Sequence, residues 1–120
     1  MPPKAIVLDA NALMMPFQFR VNLDRELKRL YGDLPVCVPS SVLGELARSI
    51  DPDGKAALAL ARKYPIAETD LSGDDAVIDV ARNRSAAVVT NDRELIARLR
   101  AEKVPVVRLR AERYLVADDI

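Results

Sequence analysis

Histidine is absent from the 120 residues, and its absence removes much of catalytic chemistry. No histidine base, serine–histidine triad or histidine-rich metal site can be built. Catalysis is left to carboxylates, lysine, tyrosine, serine, threonine, one thiol or a metal ion. That thiol, Cys37, is the single cysteine, so an intramolecular disulfide is excluded, in keeping with a reducing compartment. Its place between Val36 and Val38 marks a small buried hydrophobe rather than a nucleophile. Aromatic residues make up 4%, which leaves Ala, Val, Leu and Ile to form a core suited to helices packed on a buried sheet. An excess of charge is also missing: 18 basic residues balance 18 acidic ones, so net charge gives no general pull toward nucleic acid. The apolar run after Pro2-Pro3-Lys4 stops at Asp9, too soon for a signal-peptide core or a membrane span. A cytoplasmic protein with no membrane partner is expected.

What is present is one domain's worth of chain, 1–120, with half its residues apolar and no need of disulfides or zinc to fold. Continuous apolar runs predict strands at 5–8, 36–38, 66–69, 86–90 and 104–109, each too uniformly apolar for an open antiparallel face. Helical stretches separate them. Asn22 is expected to cap 23–31 and Gly32 to end it; Ser40 or Ser41 to cap a run to 49; Asp53 to cap 54–64. Ser72 with Asp75, and Asn91 with Glu94, have capping-box spacing before helices reaching about 83 and 103. Strand–helix alternation implies a parallel α/β sheet with right-handed crossovers. Met14, Met15, Phe17 and Phe19 read mostly as core, with a dimer surface as the other use.

The chemistry-bearing residues are acids. Asp9 closes the first strand and Asp92 follows the fourth, each where a helix begins. Ligands of open parallel sheets bind beyond the strands' carboxyl ends, where strand order reverses. Taken alone, each acid is better explained as a helix cap. Glu45, within Val42-Leu43-Gly44-Glu45-Leu46, fits a solvated position and a functional one equally. Asp74 and Asp75 open a helix whose core face is expected to use Val77, Ile78, Val80 and Ala81. Converging carboxylates without counter-charges raise one another's pKa, and a divalent cation reverses that. All-oxygen ligation suits Mg²⁺ or Mn²⁺ better than zinc. Such ions activate water and stabilise in-line displacement at phosphorus without histidine.

Asp9-Ala10-Asn11-Ala12-Leu13, then Glu45-Leu46, Asp74-Asp75-Ala76-Val77-Ile78, and Val88-Val89-Thr90-Asn91-Asp92-Arg93-Glu94-Leu95 together resemble, in order and spacing, the PIN-domain family. The resemblance covers essentially the whole chain. It implies a three-layer α/β/α fold on a parallel five-stranded sheet ordered 3-2-1-4-5. It also implies a Mg²⁺- or Mn²⁺-dependent endoribonuclease that cleaves single-stranded RNA. Asp9, Glu45, Asp75 and Asp92 match the family's acidic, catalytic positions and would be its metal ligands. The family pattern of Asp, Ala, any residue, Ile favours Asp75 over its competitor Asp74. Asn11, Thr90 and Asn91 match supporting polar positions.

Two subgroups fit. One is the VapC-like toxins, held by an antitoxin partner. The other is archaeal relatives of the PIN endonuclease of ribosomal-RNA processing, which would have ribosome-assembly partners. The Thr90-to-Leu95 and Val104-Pro105-Val106 runs lean toward the second. A homodimer is in keeping with either. Arg93, beside Asp92, is the best phosphate contact; most other basic residues read as solvated helix faces. A non-catalytic PIN-like RNA-binding or scaffolding protein is the alternative, against which the complete acidic set argues. An aspartyl-phosphate domain is disfavoured because Asn11 stands where it would place a second Asp.

Overall fold

The computed structural model describes residues 2–118; Met1 and residues 119–120, the ends of the expected domain, lie outside the described residues. The apolar runs form β1 (Ala5–Leu8), β2 (Val36–Pro39), β3 (Ile66–Ala67), β4 (Ala86–Val89) and β5 (Val106–Arg110). These five are parallel neighbours in the expected order β3-β2-β1-β4-β5. Every residue of β1 and β4 is buried, as strands covered on both faces require. Six helices connect and cover them: α1 (Ala10–Phe19), α2 (Leu23–Tyr31), α3 (Ser40–Ala47), α4 (Asp53–Ala61), α5 (Gly73–Arg84) and α6 (Arg93–Ala101). α1, α3 and α4 pack on one another, α5 lies along β1, β2 and β4, and α6 lies against β5. No helix among the described residues is long and apolar enough to cross a membrane.

Several local expectations hold. Asn22 caps α2 by accepting from the Arg25 amide at 3.1 Å, and Gly32 ends it at φ 69° with its N–H on the Lys28 carbonyl. Val77, Ile78, Val80 and Ala81 are all buried on α5, and Cys37 is buried. Met15 is buried, Met14 and Phe19 pack against the core, and Phe17 is exposed.

Other expectations need correction. α3 is capped by neither serine; Ser40 Oγ instead accepts from the Thr69 amide at 3.1 Å and donates to its carbonyl. That bond takes Thr69 out of the expected 66–69 strand, which shrinks to β3. Asp53 is the first residue of α4 rather than its cap, its amide held by Asp51 Oδ1 at 2.8 Å. Ser72 precedes α5 but makes no capping hydrogen bond. Val104 donates its amide to the Leu99 carbonyl, closing α6, so β5 starts at Val106.

A sixth strand, β6 (Tyr114–Asp118), pairs antiparallel with β5 and was not expected. Its turn runs through Ala111 and Glu112 at φ 54° and 55°, the left-handed region that sequence usually signals with Gly or Asn. The outer edge of β6 is held by α2. Glu26 Oε1 accepts from the Leu115 amide at 2.9 Å, and Arg29 donates to the Leu115 carbonyl at 2.7 Å. Glu26 and Arg29 also pair with each other at 2.9 Å. Replacing Glu26 with alanine is expected to cost about 1–3 kcal/mol in urea denaturation, because the Leu115 amide loses its partner. The hydrogen bond from Arg29 holds Glu26 below its ordinary pKa of 4.5. The contribution therefore stands at neutral pH and fades as acid titrates the folded-state carboxylate.

Candidate metal centre

The chain leaves β1 toward β2 and β3 on one side, then returns to β4 on the other, so strand order reverses between β1 and β4. Leu8 is paired with Val89 at the last rung, which sets Asp9 and Thr90 side by side at the carboxyl ends of the two strands. Asp9 begins α1 as its cap, accepting from the Ala12 amide at 2.8 Å. Its second support is the Thr90 hydroxyl, which hydrogen-bonds its carboxylate. Thr90 is fully buried, and its Oγ1 also accepts from the Asp92 amide at 3.0 Å. One hydroxyl thus ties both strand-end acids together. Asp92 caps α6 through Oδ1 to the Glu94 and Leu95 amides at 2.9 and 3.2 Å.

Asn91 was expected to be that cap. It has a tertiary task instead: its amide donates to Asn11 Oδ1 at 2.8 Å, and its own Oδ1 accepts from the Leu109 amide at 2.8 Å. Asn11 and Asn91 therefore clamp the ends of β1, β4 and β5. Asn91→Ala is expected to lower stability by about 1–2 kcal/mol, since the part-buried Leu109 amide loses its acceptor while the Asn91 backbone amide keeps Asn11. Its effect on cleavage should be larger than that loss of fold suggests, and comparing thermal melts with rates checks this.

Four acids reach the same cleft from four separate parts of the chain. Asp9, Glu45 of α3, Asp74 of α5 and Asp92 line a cavity of about 70 Å³, together with Ala10, Asn11, Val42, Gly73 and Val77. No lysine or arginine lines it. Asp9 is 6% exposed, and this burial pushes its carboxyl from 3.8 up to about 7. The Thr90 and Ala12 hydrogen bonds oppose the rise, while Glu45 and Asp92 add to it by repulsion. Glu45 is raised by desolvation and then by Asp74 and Asp92, with Arg48 partly offsetting them. Asp74 is raised by desolvation and then by Asp92, against the pull of Arg98.

Asp75, the acid favoured by the sequence pattern, is not part of this lining. Its Oδ1 accepts from Arg98 at 2.6 Å on the exposed side of α5. Helical spacing explains the difference. Asp74 shares its face with the buried Val77, Ile78 and Ala81, whereas Asp75 shares its face with the exposed Asp79 and Arg82. That periodicity was the available signal. The walls Val42 and Val77 were not singled out as cleft residues from sequence, and neither was Gly73, which begins α5 at φ 58°. Arg93 lies beside the cleft on the first turn of α6 but does not line it.

An all-oxygen donor set with unbalanced negative charge fits a hard divalent ion, and the cavity has room for an ion with a water or two. Among the described residues, no three acidic side chains already stand close enough to close on one ion. Glu45 is exposed and has the rotamer freedom to move inward, while Asp92 is exposed with Oδ1 held by the α6 amides and Oδ2 left for an ion.

The comparisons agree with this architecture. A family model described as a PIN like domain matches residues 6–112. Ribonuclease VapC4 of Methanocaldococcus jannaschii is 32% identical over 121 residues, covering 91% of this chain and 92% of that protein. Ribonuclease VapC9 of Archaeoglobus fulgidus is 26% identical over 122 residues, covering 96% and 90%. Among solved structures, the PIN domain endonuclease Utp24 superposes with a TM-score of 0.83 at 20% identity, covering all of this chain and 95% of that one. With the strand order, the acid-lined reversal point and a family match across most of its length in agreement, the chain belongs to the PIN-like domain family.

Proposed function

We propose that this domain is a divalent-metal-dependent endoribonuclease acting on single-stranded RNA, with Mg²⁺ or Mn²⁺ held by Asp9, Glu45, Asp74 and Asp92. The observation that carries the reading is the convergence of those four carboxylates on one small cleft with no basic side chain in its lining. Such a cluster opposes itself unless a cation joins it. When bound, the ion supplies activation of water and neutralisation of charge at phosphorus. The chain's own residues do the rest. Thr90 and the Ala12 amide orient Asp9, the α6 amides orient Asp92, and Asn11 with Asn91 holds the strand ends at fixed spacing. The expected products carry a 5′-phosphate and a 3′-hydroxyl.

RNA as substrate is supported by relatives that are named ribonucleases. Those relatives also favour the toxin-type subgroup, with an antitoxin as partner, over ribosomal-RNA processing. The Utp24 likeness, at 20% identity, bears on fold alone. The test is cleavage of a single-stranded oligoribonucleotide with Mg²⁺, with Mn²⁺ and with EDTA. Cleavage is expected with at least one of the two ions and absent in EDTA. Cleavage of equal rate in EDTA would sink the metal assignment, and no cleavage under any condition would favour a non-catalytic RNA-binding domain.

A further inference from the structure

Beside the acidic cleft, α6 and β5 form a groove of about 290 Å³ lined by Arg93, Ile96, Ala97, Arg100 and Arg108. We infer that this groove is a second RNA-binding subsite, in which the three arginines hold backbone phosphates of the strand whose scissile bond lies in the acidic cleft. The inference rests on the nuclease reading above and adds a path for the substrate.

Position is the first argument. Arg93 follows Asp92 directly, and Arg100 lies two turns further along α6, so the groove leads away from the cleft over roughly 10 Å of helix. A polyanion reaching the carboxylates needs compensating charge close by, and the cleft lining supplies none. Charge distribution is the second argument. The chain is neutral overall, yet Arg93 to Asp118 contains seven basic residues against four acidic ones.

Pairing is the third argument. Asp118 binds Arg108 through both oxygens, at 2.8 and 3.1 Å, and Arg100 at 2.6 Å. Arg108 in this pairing presents the fork geometry that a phosphate also accepts. Asp118 therefore pre-orients two guanidinium groups while occupying part of their capacity. The Arg93 side chain makes no hydrogen bond or ion pair among the described residues. The buried Ile96 lines the groove between the arginines.

The experiment is fluorescence anisotropy of a labelled single-stranded oligoribonucleotide on the full chain, with Asp9→Asn as the non-cleaving parent and salt varied. Arg93→Gln and Arg100→Gln should each lower the slope of log affinity against log salt by about 0.7 and weaken binding about fivefold at 0.1 M salt. The double variant should lose ~20-fold, and Arg93→Lys with Arg100→Lys should restore most of the slope. Asp118→Asn should tighten binding. Unchanged affinity and slope in the double variant, with its circular dichroism intact, would overturn the subsite while leaving the nuclease reading standing. Failure of the nuclease reading would show separately, as cleavage by the Asp9→Asn parent. Binding of a poly-glutamate peptide in place of RNA, lost in Arg93→Gln, would overturn the subsite in favour of an acidic protein partner.

Discussion

Asp9→Asn is expected to abolish cleavage, by at least ~10³-fold, and at the same time to make the metal-free protein more stable. The loss of activity follows from removing the most enclosed carboxylate of the cleft. The gain in stability follows from the cost of keeping that carboxylate ionised. Below pH 3.8 both folded and unfolded chains carry the proton, and the variant has no advantage. Between 3.8 and about 7 the unfolded chain releases the proton while the folded chain retains it, so rising pH favours unfolding of the wild type. Above about 7 the difference is constant, at roughly 4 kcal/mol for a shift from 3.8 to about 7. An asparagine can still accept from the Ala12 amide, and its NH2 group can donate to Thr90 Oγ1. Denaturation of both proteins in EDTA from pH 3.5 to 8.5 should show a gap opening across that window. Addition of Mg²⁺ or Mn²⁺ should stabilise only the wild type and narrow the gap. A gap that is flat with pH, or of the opposite sign, would contradict the upward shift of the buried Asp9 carboxyl.

The second large effect separates two adjacent residues. Asp74→Asn is expected to reduce cleavage about 100-fold or more, while Asp75→Asn should change it by less than about threefold. Asp75 is engaged with Arg98 in a pair whose side chains are 65% and 49% exposed. Such a pair contributes at most about 1 kcal/mol, so its loss should barely move the melting temperature. Both proteins are expected to fold, which makes the rates directly comparable. The reverse ranking would return the third carboxylate role to Asp75.

This pair also shows how far the sequence could be read. Neighbouring helical residues differ by about 100° in direction, so a pattern that identifies a helix turn does not say which of two adjacent acids faces the cleft. The family pattern pointed to Asp75, whereas the buried spacing of Val77, Ile78 and Ala81 pointed to Asp74. β1 and β4 were legible because burial on both faces leaves only apolar residues in them. β6 was not legible, because Ala111 and Glu112 form its turn without Gly or Asn. The caps expected at Ser40 and Asn91 failed for a shared reason: a polar side chain at a strand end also has partners distant in sequence. Thr69 and Leu109 are those partners here. Convergence of Asp9, Glu45 and Asp92 was legible only through their order along the chain. Each has a sufficient local explanation, and the tertiary fold is what brings them to one cleft.

The clasp of α2 on β6 bears on how copies of this protein can meet. A sheet normally offers its two outer strands as templates for a neighbour's backbone. One outer strand here, β3, has two residues, and the other has its Leu115 amide and carbonyl occupied by Glu26 and Arg29. Growth of the sheet from molecule to molecule is thereby discouraged at both ends. The exposed apolar surface of Phe17 on α1, 41% accessible, lies on a helix and not on either sheet edge.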